Sequence, residues 1–143
     1  VGAATEIEMI EKRHRIDDAL EAVKSAQLEG VVPGGGVALI RATHNLEVEV
    51  SSEDQALGVK IVQKAVEEPI RQMANNAGES ADLVLAAIAD ENYEYGWDFA
   101  SGTLTHMIND GIIDPTKVTR CALQNAASVA GALITSNHAI VEE

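Results

Sequence analysis

The chain has 143 residues, 46% of them hydrophobic, and a formal net charge of −13, enough for about one domain that buries roughly two thirds of its unfolded surface. That charge excludes nucleic acid and anionic membranes as partners, because their phosphates are repelled, and any bound polyphosphate needs Mg²⁺ or basic residues from elsewhere. The single cysteine, Cys121, excludes an internal disulfide and suits the reducing cytoplasm.

Aromatic residues make up 3% of the chain and alanine is abundant, so the expected fold is mainly α, with closely packed helices and a few short strands. The sequence opens on Val1-Gly2-Ala3-Ala4, which reads as a strand with no neighbour to pair with, as expected of a piece cut from a longer polypeptide. Thr5-Glu6-Ile7-Glu8 predicts a capping box, with Thr5 as N-cap and Glu8 reaching back. A helix is expected over residues 6–29. Ile16, Ala19, Leu20, Val23 and Ala26 recur at spacings of three and four and form its apolar stripe.

Next comes Glu29-Gly30-Val31-Val32-Pro33-Gly34-Gly35-Gly36-Val37, the stretch around which the chain is organised. Gly30 stops the helix and Pro33 prevents its continuation. The successive glycines allow a tight turn whose bare amides a ligand can approach. A helix starting at Val37 would present unpaired N–H groups beside that turn, a natural anion site. A plain helix–loop–helix connector has the same spacing. No lysine follows, so the stretch is not a GxxxxGK[ST] phosphate loop, and the third glycine of GxGxxG is missing.

An apolar helix is expected over 37–45, a strand at Glu47-Val48-Glu49-Val50, and a helix over 53–67 that buries Leu57, Ile61, Val62 and Ala65. Pro69 interrupts it, a short helix follows over 70–77, and Ser80-Ala81-Asp82 opens another through Ala89. Tyr93, Tyr95, Trp97 and Phe99 are the chain's only aromatic residues and alternate like a hairpin arm. They serve either as local core or as a platform for a flat ligand. One helical turn is expected within 103–109. Asp114 and Pro115 then predict a strong helix start, Asp114 as N-cap and Pro115 in the first turn. That helix, running to about Thr135, is apolar on most of its surface and is expected in the middle of a core. Ala139-Ile140-Val141 reads as a last short strand.

The chemistry-bearing residues point away from a self-contained catalytic site. Glu11-Lys12-Arg13-His14 is one E-x-x-H, whereas a di-iron bundle needs two plus further glutamates. His44, His106 and His138 are scattered without a cysteine pair, so no metal site is expected. There is no G-x-S-x-G elbow, and Cys121 reads as a core residue. Asp18, the Gly34–Gly36 turn, Asp98 and Asp114 remain. Singly, Asp18 reads as a solvated side chain and Asp114 as a cap. Together they have a geometry: Asp18 precedes Gly30 by twelve residues, about 18 Å along a helix. If that helix leans over the turn, this is the reach of an extended nucleoside triphosphate.

The motifs Val1-Gly2-Ala3-Ala4-Thr5-Glu6, Asp17-Asp18-Ala19-Leu20, the glycine stretch through Ile40, and Gly111-Ile112-Ile113-Asp114-Pro115-Thr116-Lys117-Val118-Thr119-Arg120 stand in this order. The chain closely resembles the C-terminal third of group I chaperonins of the GroEL type. The resemblance implies that residues 1–29 belong to an intermediate domain, with Gly30 near its hinge, and that residues 30–143 form the C-terminal half of an equatorial ATP-binding domain. It implies a ring-forming chaperone that hydrolyses ATP with Mg²⁺ to fold proteins, its partners being the rest of the chaperonin chain, the other ring subunits, a co-chaperonin and unfolded polypeptides.

The same resemblance implies that Asp18 orients the water that attacks the γ-phosphate. Gly34 and Gly35 lie against the nucleotide by their backbone, Asp114 accepts from the ribose, and Asp98, Phe99, Ala100 and Ile112 border the adenine. The phosphate-binding loop and the Mg²⁺ ligand come from an N-terminal half outside this stretch. Asp98-Phe99 departs from the family, which commonly has an asparagine and small residues there, and Phe99 stacking on the base is the alternative to an amide contact. Pro33 replaces a small residue, which stiffens the turn. The competing reading is a non-catalytic helical interaction module that keeps the fold without using nucleotide.

Overall fold

The computed structural model of the chain describes residues 2–44 and 46–140. In chain order the elements are α1 (Glu6–Glu29), β1 (Val31–Pro33), α2 (Val37–His44), α3 (Glu53–Ala65), α4 (Glu68–Ala77), α5 (Ala81–Ala89), β2 (Tyr95–Asp98), β3 (Thr103–His106), β4 (Ile113–Pro115) and α6 (Thr116–Ile134). They divide into two units. Residues up to Gly30 and from Pro115 onward form the first, and Val31–Asp114 the second.

In the first unit α1 packs on α6. The Thr5 hydroxyl accepts from the Glu8 amide at 3.3 Å, as a capping residue should. Glu8 reaches back one residue further than expected, accepting from the Ala4 amide at 3.2 Å. Gly30 ends α1 at φ 78°, a conformation glycine adopts without strain, and its N–H donates to the Ala26 carbonyl at 2.8 Å. The two helices are tied where α1 ends. Arg120 donates from Nη2 to Glu29 Oε1 at 2.6 Å and from Nε to Oε2 at 3.0 Å, and the Thr116 amide donates to the Gly30 carbonyl at 3.1 Å.

Three expectations for this unit are corrected. Helix α6 has no buried residue and Leu133 keeps 71% of its surface exposed, while Ile16, Leu20 and Val23 of the α1 stripe are about half exposed. An apolar helix is buried only where something covers it, and within this unit these two helices have little but each other. Asp114 does not cap α6: it lies in β4, and Pro115 occupies the N-cap position without a side-chain hydrogen bond. Gly2–Ala4 and Ala139–Ile140 are not strands; Val1 and Val141 lie outside the described residues.

The second unit has a core of Val37, Ile70, Ala74, Val84 and Ile88, against which Met73, Trp97, Phe99 and Leu104 pack. Pro69 stands in the first turn of α4, where its missing N–H costs nothing, and Gly78 ends that helix in the left-handed region at φ 77°. Arg41 on α2 donates to the carbonyls of Ile88 (2.6 Å), Asn92 (3.3 Å) and Ala89 (3.4 Å), satisfying acceptors that the end of α5 leaves open.

Helix α3 contradicts the expected burial. Leu57 is 58% exposed and Ile61 60%, Val62 and Ala65 are exposed too, and the first buried residue is Val66, just past the helix end. The helix begins at Ser52, whose hydroxyl accepts from the Gln55 amide at 3.3 Å. Residues 46–50 are not a strand and pair with nothing among the described residues, since alternation supplies a strand's pattern without supplying a neighbour. Asn45, expected as the end of α2, lies outside the described residues. The expected helical turn within 103–109 is instead β3, antiparallel to β2 in the register Tyr95↔His106, Gly96↔Thr105, Trp97↔Leu104 and Asp98↔Thr103. The β-branched pair Thr103 and Thr105 suits a pleated arm.

Candidate functional site

The glycine turn, the hairpin and the segment before α6 meet inside the second unit. Gly34 is buried and its N–H donates to the Ile112 carbonyl at 2.9 Å, at the end of the paired β1 and β4. A Cβ at Gly34 would stand 3.0 Å from the Ile112 oxygen and 3.2 Å from the Ile113 nitrogen. Only glycine permits so close an approach of two backbones. Gly35 follows at φ 64° and Gly36 at φ 78°, and α2 starts at Val37.

Gly35 is seated on the hairpin. Its Cβ position lies 3.0 Å from Met107 Cε and 3.7 Å from the Trp97 carbonyl. Met107 is fully buried, its N–H donates to the Glu94 carbonyl at 2.9 Å, and its own carbonyl accepts from Ile112 at 2.8 Å. One chain of main-chain hydrogen bonds therefore runs from the start of the hairpin through Met107 and Ile112 to Gly34.

Asp114 is the ionisable group of this cluster. It is partly buried in β4, and that burial pushes its pKa above the usual carboxylate value. No hydrogen bond to its side chain is found among the described residues. A desolvated carboxylate without a partner is an acceptor held ready for a hydroxyl or amide donor.

The structure brings Gly34, Gly35, Ile112 and Asp114 together on the paired β1 and β4 and the turn that follows. The hairpin residues take other roles. Asp98 accepts from the Ala100 amide at 2.9 Å and from the Ser101 hydroxyl at 2.7 Å, and these two bonds, the hydroxyl first, hold its pKa low. Phe99 packs on the core, and Ala100 is exposed in the turn. Asp18 belongs to the first unit, exposed in the middle of α1.

Sequence reasoning missed Met107 and Gly96. A glycine inside Tyr95-Gly96-Trp97 was the available signal, since glycine in a strand marks a close approach. A Cβ there would fall 2.5 Å from Val37 Cγ2 and 2.9 Å from Met107 Cγ.

Further cavities lie elsewhere in this unit. An apolar groove of about 490 Å³ runs between residues 46–50 and α3, lined by Leu46, Val48, Val50, Val59 and Val62. A second, of about 280 Å³, gathers Lys64, Glu67, Arg71 and Asp82. Those charges are paired among themselves, Lys64 to Glu67 at 2.7 Å, Arg71 to Glu67 at 2.8 Å and Arg71 to Asp82 at 2.7 Å. They form a brace between α4, α5 and the end of α3.

Residues 1–143, the whole chain, match the model of the TCP-1/cpn60 chaperonin family. Among solved structures, the chain is similar to a group III chaperonin in its open state, with a TM-score of 0.81 and 32% identity. The match covers 98% of this chain and 30% of that one. The chain thus spans less than a third of the length of its structural relative, and its helices with a few short strands match a fragment of the chaperonin equatorial domain. It belongs to the TCP-1/cpn60 chaperonin family.

Proposed function

We propose that this chain forms one side of the ATP site of a protein-folding chaperonin, residues 1–29 from an intermediate domain and 30–143 from the equatorial domain. The observation that carries this reading is the unpaired, burial-perturbed Asp114 on the strand that directly follows Ile112, whose carbonyl holds the Gly34 amide. Such a surface suits a nucleoside: a carboxylate for the ribose hydroxyls, and bare glycine backbone where a side chain would obstruct the approach. The Gly34–Gly36 turn has no lysine and the chain carries a net charge of −13, so the phosphates and their Mg²⁺ need groups from beyond these residues. Phosphoryl transfer to water depends mainly on positioning, and Asp18, exposed on α1, is the carboxylate available to orient that water.

The group I, GroEL-type assignment rests on the Val31–Ile40 and Gly111–Arg120 motifs. On that reading the protein works in the cytoplasm as a ring, with a co-chaperonin and unfolded polypeptides as partners. In the full-length polypeptide containing this chain, Asp18→Ala is expected to lower ATP turnover by about 10²-fold or more while Mg-ATP still binds. The 143-residue chain alone is expected to bind Mg-ATP weakly in calorimetric titration. Tight binding by the chain alone would contradict the split site.

One observation favours a second reading. Both Asp98 oxygens are engaged in the hairpin turn and Phe99 is packed on the core, so neither side chain is free for a base. A helical interaction module that no longer uses nucleotide accommodates this. Equal inactivity of full-length wild type and Asp18→Ala would select it.

A further inference from the structure

We infer that Met107 is a positioning residue for the nucleotide surface, its thioether setting where the Gly35 backbone stands; this rests on the ATP reading above. Met107 is 0% exposed and fills the space that two glycines leave open. Its Cε is 3.0 Å from the Cβ position of Gly35, and its Cγ and Sδ are 2.9 and 3.0 Å from that of Gly96. One side chain therefore lies against both the turn and the hairpin. Its backbone is fixed at both ends, to Glu94 through N–H and to Ile112 through C=O, and its side chain is fully enclosed.

Gly35 has no side chain with which to anchor itself. Among the described residues, and its chain neighbours aside, only Met107 Cε and the Trp97 carbonyl stand within 4 Å of its Cβ position. Withdrawing the thioether leaves a void directly beneath the turn, and interiors respond to such voids by partial collapse of the nearest atoms. A backbone meant to lie against a ligand then shifts by a fraction of an ångström or more. Misplacement on that scale is felt in binding far more than in folding.

The expected signature separates position from packing. In the full-length polypeptide, Met107→Ala raises KM for ATP about tenfold and leaves kcat within about twofold, because Asp18 is untouched. Met107→Leu, which conserves volume, restores KM to within about twofold of wild type. Met107→Val keeps most of the buried volume but withdraws the terminal methyl from Gly35; it gives an intermediate KM and carries the test if alanine at this position unfolds the protein. Ile88→Ala removes comparable apolar volume at a core position with no atom near the Gly35 Cβ position, and is expected to lower stability with KM unchanged.

Trp97, the only tryptophan of these 143 residues, supplies a second readout: ATP-induced change in its fluorescence is expected to need about tenfold more nucleotide in Met107→Ala. If Met107→Ala and Met107→Val keep wild-type KM, or if Ile88→Ala raises KM equally, the positioning role is overturned while the ATP site stands. If the full-length wild type neither binds nor hydrolyses ATP, both fall together.

Discussion

The Gly34 amide and the Ile112 carbonyl are joined by a 2.9 Å hydrogen bond across a tight gap, the Cβ position of Gly34 being 3.0 Å from that oxygen. Gly34→Ala must therefore push β1 away from the segment that carries Asp114. Backbone shifts of this kind cost typically about 1–3 kcal/mol, measured as the change in urea-unfolding free energy. Gly58, exposed inside α3 with nothing within 4 Å of its Cβ position, is the control. Gly58→Ala is expected to stabilise by up to about 1 kcal/mol. Equal effects of the two substitutions would mean that the contact at Ile112 does not constrain the turn.

Much of this arrangement is legible in the sequence where the signal is local. Thr5, Ser52, Gly30, Pro69 and Gly78 mark helix ends through caps and breakers acting within a few residues, and the helices stand where those marks put them. The errors fall where a partner distant in sequence decides. Asp114-Pro115 is a good local helix start, but β1, some eighty residues upstream, captures Asp114 as a strand. Thr103–His106 pairs only because Tyr95–Asp98 stands opposite. The apolar surface of α6 and the Leu57–Ile61 face of α3 show what needs covering without showing what covers it. Within the site, the glycine run marks Gly34 by itself, whereas Asp114 reads locally as a helix cap and comes to a site only through the resemblance. Met107 was not legible, because its role comes from packing beneath two glycines that are sixty-one residues apart.

Asp114 gives a pH test whose sign is fixed. Burial raises its folded pKa above the usual carboxylate value of 3.8. The folded state therefore holds the proton more tightly than the unfolded one, and stability falls as pH rises from the unfolded pKa through the folded pKa. Above that window the full cost of a desolvated charge is present; below 3.8 it is absent. Asp114→Asn is expected to melt at a higher temperature than wild type at pH 7, with the gap closing in acid. In the full-length polypeptide the same substitution is expected to weaken nucleotide binding, as when a site residue is kept at the expense of stability. A variant less stable than wild type at pH 7 would show that Asp114 has a folding role instead.

Asp98 has the opposite sign. The Ser101 hydroxyl and then the Ala100 amide hold its pKa below 3.8. Its contribution is therefore present above pH 3.8 and is lost as pH falls through the lowered folded value. Asp98→Ala is expected to loosen the β2–β3 turn, lowering the melting temperature at pH 7 and converging with wild type in acid. Ser101→Ala is expected to do the same to a smaller extent, because the Ala100 amide still holds the carboxylate at 2.9 Å. Hydrogen exchange at the Gly102 amide, which donates to the Asp98 carbonyl at 2.8 Å, reads the turn directly. Unchanged exchange in Asp98→Ala would mean that the turn is held by its backbone alone.

The fork between Arg120 and Glu29 lies at the end of α1 and joins residues ninety-one positions apart. Both side chains are partly exposed, so the pair is screened by water and by salt. Its geometry is nonetheless bidentate, at 2.6 and 3.0 Å, and Gln124 holds the third guanidinium nitrogen at 2.8 Å. Lysine retains the charge but not the planar fork. At low ionic strength Arg120→Lys is therefore expected to lower the melting temperature nearly as much as Arg120→Ala. Both deficits should shrink as salt rises toward about 1 M, where the Debye length is about 3 Å. A deficit in Arg120→Ala that salt does not change would assign the contact between α1 and α6 to packing along the arginine stem rather than to the paired charges.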